Sequence, residues 1–172
     1  MKQVPGLCLG LGLVGFFALS WGCTDSQDSV NADVQINIAD QPIEGRIDGR
    51  PWRFESGLVD IEIVEEDLHY VHLFPSPDAR CDAPPLHEPH IIVHVPKMEG
   101  EYAFGPALNA TFAVMQDGQT TYEITFDGAL VVAQLTDDSL LGALYARRGD
   151  AHEVNGLFSA RSCRVEDDGA MP

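Results

Sequence analysis

Three histidines fall within one short stretch, Leu86-His87-Glu88-Pro89-His90-Ile91-Ile92-Val93-His94, and imidazole is a good ligand for zinc or copper. On a strand, His90 and His94 project to the same face with Ile92 between them. Their Cα atoms are then about 13 Å apart, too far to share an ion unaided. His87, in the preceding segment, can fold back towards His90, and Glu88 adds an oxygen. His69 and His72 take opposite faces of their own segment, so at most one of them joins. His87-Glu88-Pro89-His90 is not the helical zinc signature with histidines four apart, because Pro89 forbids a helix there. A zinc or copper site on His87, His90 and His94 stands against a plainer expectation, strand and loop histidines with local hydrogen bonds.

Other side chains offer less. Trp52, beside Arg50 and Arg53 near a turn, either packs inside or offers a sugar-stacking platform. Glu65-Glu66-Asp67, Asp137-Asp138 and Glu166-Asp167-Asp168 lack the spacing of a calcium loop and read as solvated turns. Arg148-Gly149-Asp150 spells an adhesion tripeptide, yet Gly-Asp is ordinary turn chemistry. Asn109-Ala110-Thr111 matches a glycosylation sequon, discounted because the leader has a bacterial character. No G-x-S-x-G elbow occurs, and Ser56 has no base assigned to it. The expectation is a non-enzymatic protein.

These residues lie on segments that read as strands. Residues 43–47, 52–54, 59–63, 68–74, 90–95, 100–104, 111–115, 121–126, 129–135, 140–147 and 153–163 are separated by turn dipeptides and by one proline-rich excursion. Asp48-Gly49, Asp117-Gly118 and Asp127-Gly128 are hairpin signals. Val59, Ile61 and Ile63 are expected to face a core, as are Tyr122, Ile124 and Phe126. The segment 75–89 carries five prolines and Cys81, and cannot hold a ladder. Long irregular segments in compact domains are usually functional or tied down. About ten short strands without an amphipathic helix point to an all-β fold, a single antiparallel β-sandwich, with an open or closed barrel as the alternative. Crossover helices for a parallel α/β fold are lacking.

The beginning of the chain speaks to location. Met1-Lys2 precedes an apolar run over residues 7–19, too short to span a bilayer but of signal-peptide size. Ala18-Leu19-Ser20 is a cleavage-site pattern that would release a soluble protein starting at Trp21. Ser20-Trp21-Gly22-Cys23 instead resembles the lipobox of bacterial lipoproteins, in which the cysteine is acylated. Loss of Cys8 with the leader leaves Cys23, Cys81 and Cys163, an odd number that lipidation of Cys23 would turn into a pair. Export makes a Cys81–Cys163 disulfide reasonable. The resulting division is a signal peptide over 1–22, a lipid-anchored flexible tether over 23–33, a β-sandwich domain over 34–165 and an acidic tail over 166–172. By the same resemblance to bacterial lipoproteins, Thr24 rather than an aspartate after the cysteine suggests the outer membrane, if the cell has one.

Three stretches carry a wider resemblance: Ile47-Asp48-Gly49-Arg50-Pro51-Trp52-Arg53-Phe54-Glu55-Ser56-Gly57, then Val95-Pro96 with Gly100-Glu101-Tyr102-Ala103-Phe104, then Val154-Asn155-Gly156-Leu157-Phe158 with Cys163. They resemble a loose group of small bacterial β-sandwich lipoproteins of largely unassigned function. The resemblance rests on turn glycines, core aromatics and a disulfide half; it supports the fold and carries over no catalytic residue. The net charge of −17 repels nucleic acid and anionic headgroups. What remains is a membrane contact through the N-terminal lipid and a protein or glycan partner. An exposed apolar patch would favour the protein, and a shallow groove lined by Trp52 or a tyrosine the sugar.

Overall fold

The computed structural model describes residues 37–61 and 67–163. The leader, Cys23, the tether, Ile63, Glu65, Glu66 and the tail with Glu166, Asp167 and Asp168 lie outside the described residues. Within them the chain forms strands β1 (Glu44–Ile47), β2 (Arg50–Arg53), β3 (Ser56–Val59), β4 (Leu68–Phe74), β5 (His90–Pro96) and β6 (Gly100–Ala103). The chain continues through β7 (Ala110–Gln116), β8 (Gln119–Thr125), β9 (Asp127–Leu135), β10 (Ser139–Arg148) and β11 (His152–Ser162). The all-β expectation holds, and no helix occurs among the described residues.

Nine strands follow one path, β6-β9-β10-β11-β3-β4-β5-β7-β8, and β1 pairs with β11 and β2 beside it. The pairing is antiparallel except where β11 meets β3. The sheet curls into an open barrel, and its walls face each other across one core as the layers of a sandwich do. The curl brings β8 back to β10, where the Thr125 hydroxyl donates to the Arg147 carbonyl. Ile43, Trp52, Val71, Ile91, Phe112, Leu130, Leu144 and Phe158 meet in the interior. These residues come from strands all along the path, so their burial is the main force closing it.

Asp48-Gly49 and Asp117-Gly118 are the two hairpin turns that the sequence marks. Both residues of each pair have left-handed φ, 53° and 70° in the first and 53° and 80° in the second. That geometry is the type I′ turn, whose twist matches the flanking strands. Asp127-Gly128 departs from expectation. It is no turn: Asp127 opens β9, and Gly128 stands opposite Ala146 on β10. Glycine is needed there for close approach, since a Cβ would lie 2.3 Å from the Tyr145 carbonyl oxygen and 2.7 Å from the Phe104 ring. The expected strand over 59–63 is also displaced. It runs over Ser56–Val59 and stops because Asp60 takes a φ of 54°.

The proline-rich segment 75–89 packs Ala79 and Leu86 against Leu58 and Phe74, a second apolar cluster on the outer face of the sheet. Cys81 and Cys163 are joined by a disulfide across 82 residues of sequence. It ties this segment to the end of β11. Ser56 adds a hydroxyl donated to the Ser76 carbonyl at 2.6 Å, and Arg161 a guanidinium donated to the Ala79 carbonyl at 2.7 Å.

Candidate functional site

Strand register defines which side chains share the outer face of β4, β5, β7 and β8. His72 stands opposite Ile92, Ile92 opposite Thr111, and Thr111 opposite Ile124. One row further on lie Phe74, His90, Ala113 and Tyr122; one row back lie Tyr70, His94, Asn109 and Phe126. The inner face of the same strands is aliphatic, with Val71, Leu73, Ile91, Val93 and Val95 all fully buried. The outer face is aromatic and titratable.

His90 is the first anchor of this face. Its Nδ1 lies 2.7 Å from the Glu88 carbonyl, which only accepts, so Nδ1 carries a proton. Its ring lies 5.5 Å from that of His72 and 5.1 Å from that of Phe74. Burial, and secondarily the neighbouring His90, push the His72 imidazole from 6.5 down to about 4. His72 is therefore neutral, and its buried Nδ1 has no hydrogen-bond partner. Asn109 Oδ1 is a second buried atom without one. The Asn109 amide nitrogen lies 3.5 Å from His94 Nδ1, and the His94 ring packs 4.6 Å from Tyr70.

The three candidate metal ligands therefore separate. His87 is exposed on the proline-rich segment, His90 is buried in its stack, and His94 sits two rows away beside Tyr70. Among the described residues no group of three histidine, cysteine or carboxylate side chains is placed to hold a metal ion. The histidine that does meet His90 is His72, brought there by the β4–β5 register, which sequence spacing alone does not contain. His69 points inward and pairs with Asp60 at 2.7 Å.

Trp52 is only 6% exposed, and its indole N–H donates to the Pro89 carbonyl at 2.9 Å. Its ring is a core wall and not an open stacking platform. It borders a cleft of about 340 Å³ between Pro51, Pro75, Pro89, Val114 and Met115. A second, more open cleft of about 630 Å³ lies between Gly57, Asp78, Arg80 and Ser159. Its cations are engaged, Arg80 with Asp82 at 2.7 Å and Arg161 with the Ala79 carbonyl. Asn109 is buried, so its side chain does not present a glycosylation site. Arg148 and Asp150 do flank the β10–β11 turn, but Arg148 is turned away to Glu123 at 2.8 Å and to the Ile124 carbonyl. Asp137 and Asp138 are exposed in the β9–β10 turn.

The strongest departure from expectation is β8. Its alternation is as the sequence reads, but its phase is reversed. Phe112 and Val114, which face the core, stand opposite Glu123 and Thr121. Tyr122, Ile124 and Phe126 consequently face outward, 62%, 47% and 56% exposed. The reason lies at the barrel rim. The inward positions of β8 are needed for polar ties, Thr125 to the Arg147 carbonyl and Glu123 to Arg148 and, at 3.5 Å, to His152 Nε2. His152 is buried against Phe112, and its Nδ1 accepts the Asp48 amide at 3.2 Å. No sequence signal distinguishes the two phases, because a polar strand face looks the same whether it meets water or a polar rim.

No protein-family model matches this chain, and no curated protein or solved structure is significantly similar to it.

Proposed function

We propose that the protein is a non-enzymatic binding module of the cell envelope, held at the membrane by a lipid on Cys23, and that its partner is a protein. The observation that carries the partner class is the outward row Tyr122, Ile124 and Phe126, three large apolar side chains on one face at the edge of the sheet. Half-buried Ile92 and Tyr70 share this outward face nearer β4, beyond buried Thr111 and Asn109. Single exposed apolar residues are ordinary, whereas a contiguous set marks an interaction surface. With the Trp52 ring in the core, a glycan has less to stack on. The compartment is supported by the leader, by the lipobox pattern at Ser20-Trp21-Gly22-Cys23 and by the Cys81–Cys163 disulfide, since such bonds persist outside the cytosol.

The partner is tested in cells with the full chain carrying a photo-crosslinking residue at position 122 or 124, and at Leu141 on β10 as an exposed control. One adduct of defined mass from 122 and 124, absent from 141, is expected. Absence of any adduct, or equal labelling from 141, overturns the protein partner. Mass spectrometry of the mature N-terminus tests the anchor: a diacylated cysteine at 23 is expected, and an unmodified start at Trp21 overturns it.

A further inference from the structure

The sheet has three edges among the described residues, β2, β6 and β8. Two are blunted in ways that prevent pairing with other chains. β2 is four residues long, contains Pro51 and has the charged Arg50 and Arg53 at its two ends; β6 is also four residues long and is followed by the Gly105-Pro106 break. β8 has seven residues, Gln119–Thr125, with neither proline nor lysine nor arginine. Thr120, Thr121, Tyr122, Ile124 and Thr125 are all residue types that favour strands. Its one charge, Glu123, is turned inward and held by Arg148.

The type I′ turn closes on the pair Gln116 and Gln119, so alternate residues of β8 have fixed directions. The amides and carbonyls of Gln119, Thr121, Glu123 and Thr125 face β7. Those of Thr120, Tyr122 and Ile124 face away from the sheet. Arg148, donating to the Ile124 carbonyl, agrees with this assignment and closes the far end of the edge. Thr120 and Tyr122 keep outward N–H and C=O groups that no described residue occupies.

We propose that β8 is a docking edge for an extended segment of a partner polypeptide, one with alternate apolar residues and with lysine or arginine at its ends. This rests on the protein-partner reading and specifies its mode, strand addition, in which main-chain bonds give affinity and alternate side chains give specificity. The charge preference comes from Asp117 and Asp127, exposed carboxylates that bracket the strand and make no ion pair among the described residues, in a chain of net charge −17. They also disfavour a second copy of this chain. Antiparallel self-pairing centred on Tyr122 sets Thr120 opposite Ile124 of the other copy, but it also sets Asp117 opposite Asp127. Like charges directly opposite are destabilising.

The test uses the full chain in detergent micelles and a nine-residue synthetic peptide of alternating valine and threonine with lysine pairs at both ends. The same peptide with glutamate pairs is the control. Expected are binding of the lysine-flanked peptide at least tenfold tighter than the control, and slowed hydrogen exchange at the Thr120 and Tyr122 amides in the complex. Tyr122→Pro removes an outward donor while leaving the β7 ladder intact, as proline on an edge strand can. It is expected to weaken binding tenfold or more, and Tyr122→Thr less. Should the proline variant fail to fold, Asp117→Lys with Asp127→Lys is expected to reverse the preference between the two peptides. Absent binding, equal binding of both peptides, or unchanged exchange at the two amides overturns the proposal. Self-association abolished by Tyr122→Pro overturns it in favour of a second copy. A crosslink from position 122 that persists while the edge amides are unaffected refutes strand addition alone and leaves the protein partner standing.

Discussion

The two faces of β4, β5 and β7 carry different chemistry on the same backbone. Inward, Val71, Leu73, Ile91, Val93, Val95, Phe112 and Val114 form a nearly pure hydrocarbon wall. Outward, the same strands present Tyr70, His72, Phe74, His90 and His94, and two buried polar atoms there lack partners. A buried polar group left unsatisfied costs on the order of 1–3 kcal/mol. The inner face is thus built for stability alone, and the outer face tolerates losses that the inner one supplies. The outer face stays buried or half-buried through β4, β5 and β7, and only at β8 do the apolar side chains reach solvent.

This contrast can be broken most severely from inside. Phe112→Ala removes a fully buried ring that also stacks on His152 at 4.9 Å. A loss of about 3–5 kcal/mol is expected in urea unfolding. A loss below about 1 kcal/mol would mean that the inner wall is not the main stabiliser. Removing the disulfide with Cys81→Ser and Cys163→Ser frees the segment that covers Leu58 and Phe74. It is expected to cost up to about 4 kcal/mol, read as a lower unfolding midpoint under non-reducing conditions.

Acid tests the outer face next. The folded state holds His72 at about 4, below its ordinary 6.5, so the unfolded chain binds a proton that the folded chain refuses. The stability from neutral His72 is fully present above 6.5 and drains away as pH falls to about 4, by up to roughly 3 kcal/mol. His72→Leu should flatten the difference between unfolding midpoints measured at pH 7.5 and pH 4.5. An unchanged difference would show that other groups carry the acid response. The smallest effect belongs to β8. Tyr122→Ser is expected to change stability by no more than about 0.5 kcal/mol, because its ring is already in water. A larger loss would place that ring in the fold and not at an interface.

Much of the architecture is legible in the residues. The strands over 68–74 and 90–95, the I′ turns at Asp48-Gly49 and Asp117-Gly118 and the irregular prolines follow from local chemistry, and the bond between Cys81 and Cys163 from the cysteine count of an exported chain. The departures share a physical origin. Asp127-Gly128 looks like Asp48-Gly49 and Asp117-Gly118 in sequence, yet Gly128 serves close packing against Tyr145 and Phe104. Tyr122, Ile124 and Phe126 alternate as a core strand would, but which side is the core depends on the neighbour's register. His90 and His94 do share a face, as spacing requires. That His72 joins His90, and that Trp52 bonds the Pro89 carbonyl, depends on pairing between distant segments.

β11, last of the described strands, lies inside the sheet, with β10 on one side and both β1 and β3 on the other. A chain emerging from its N-terminus therefore holds two unfinished pieces, β3-β4-β5-β7-β8 and β6-β9-β10, that have no strand joining them until residue 162 has appeared. Closure is then a single late event, and whatever machinery carries the growing polypeptide must shield open strand borders until that moment.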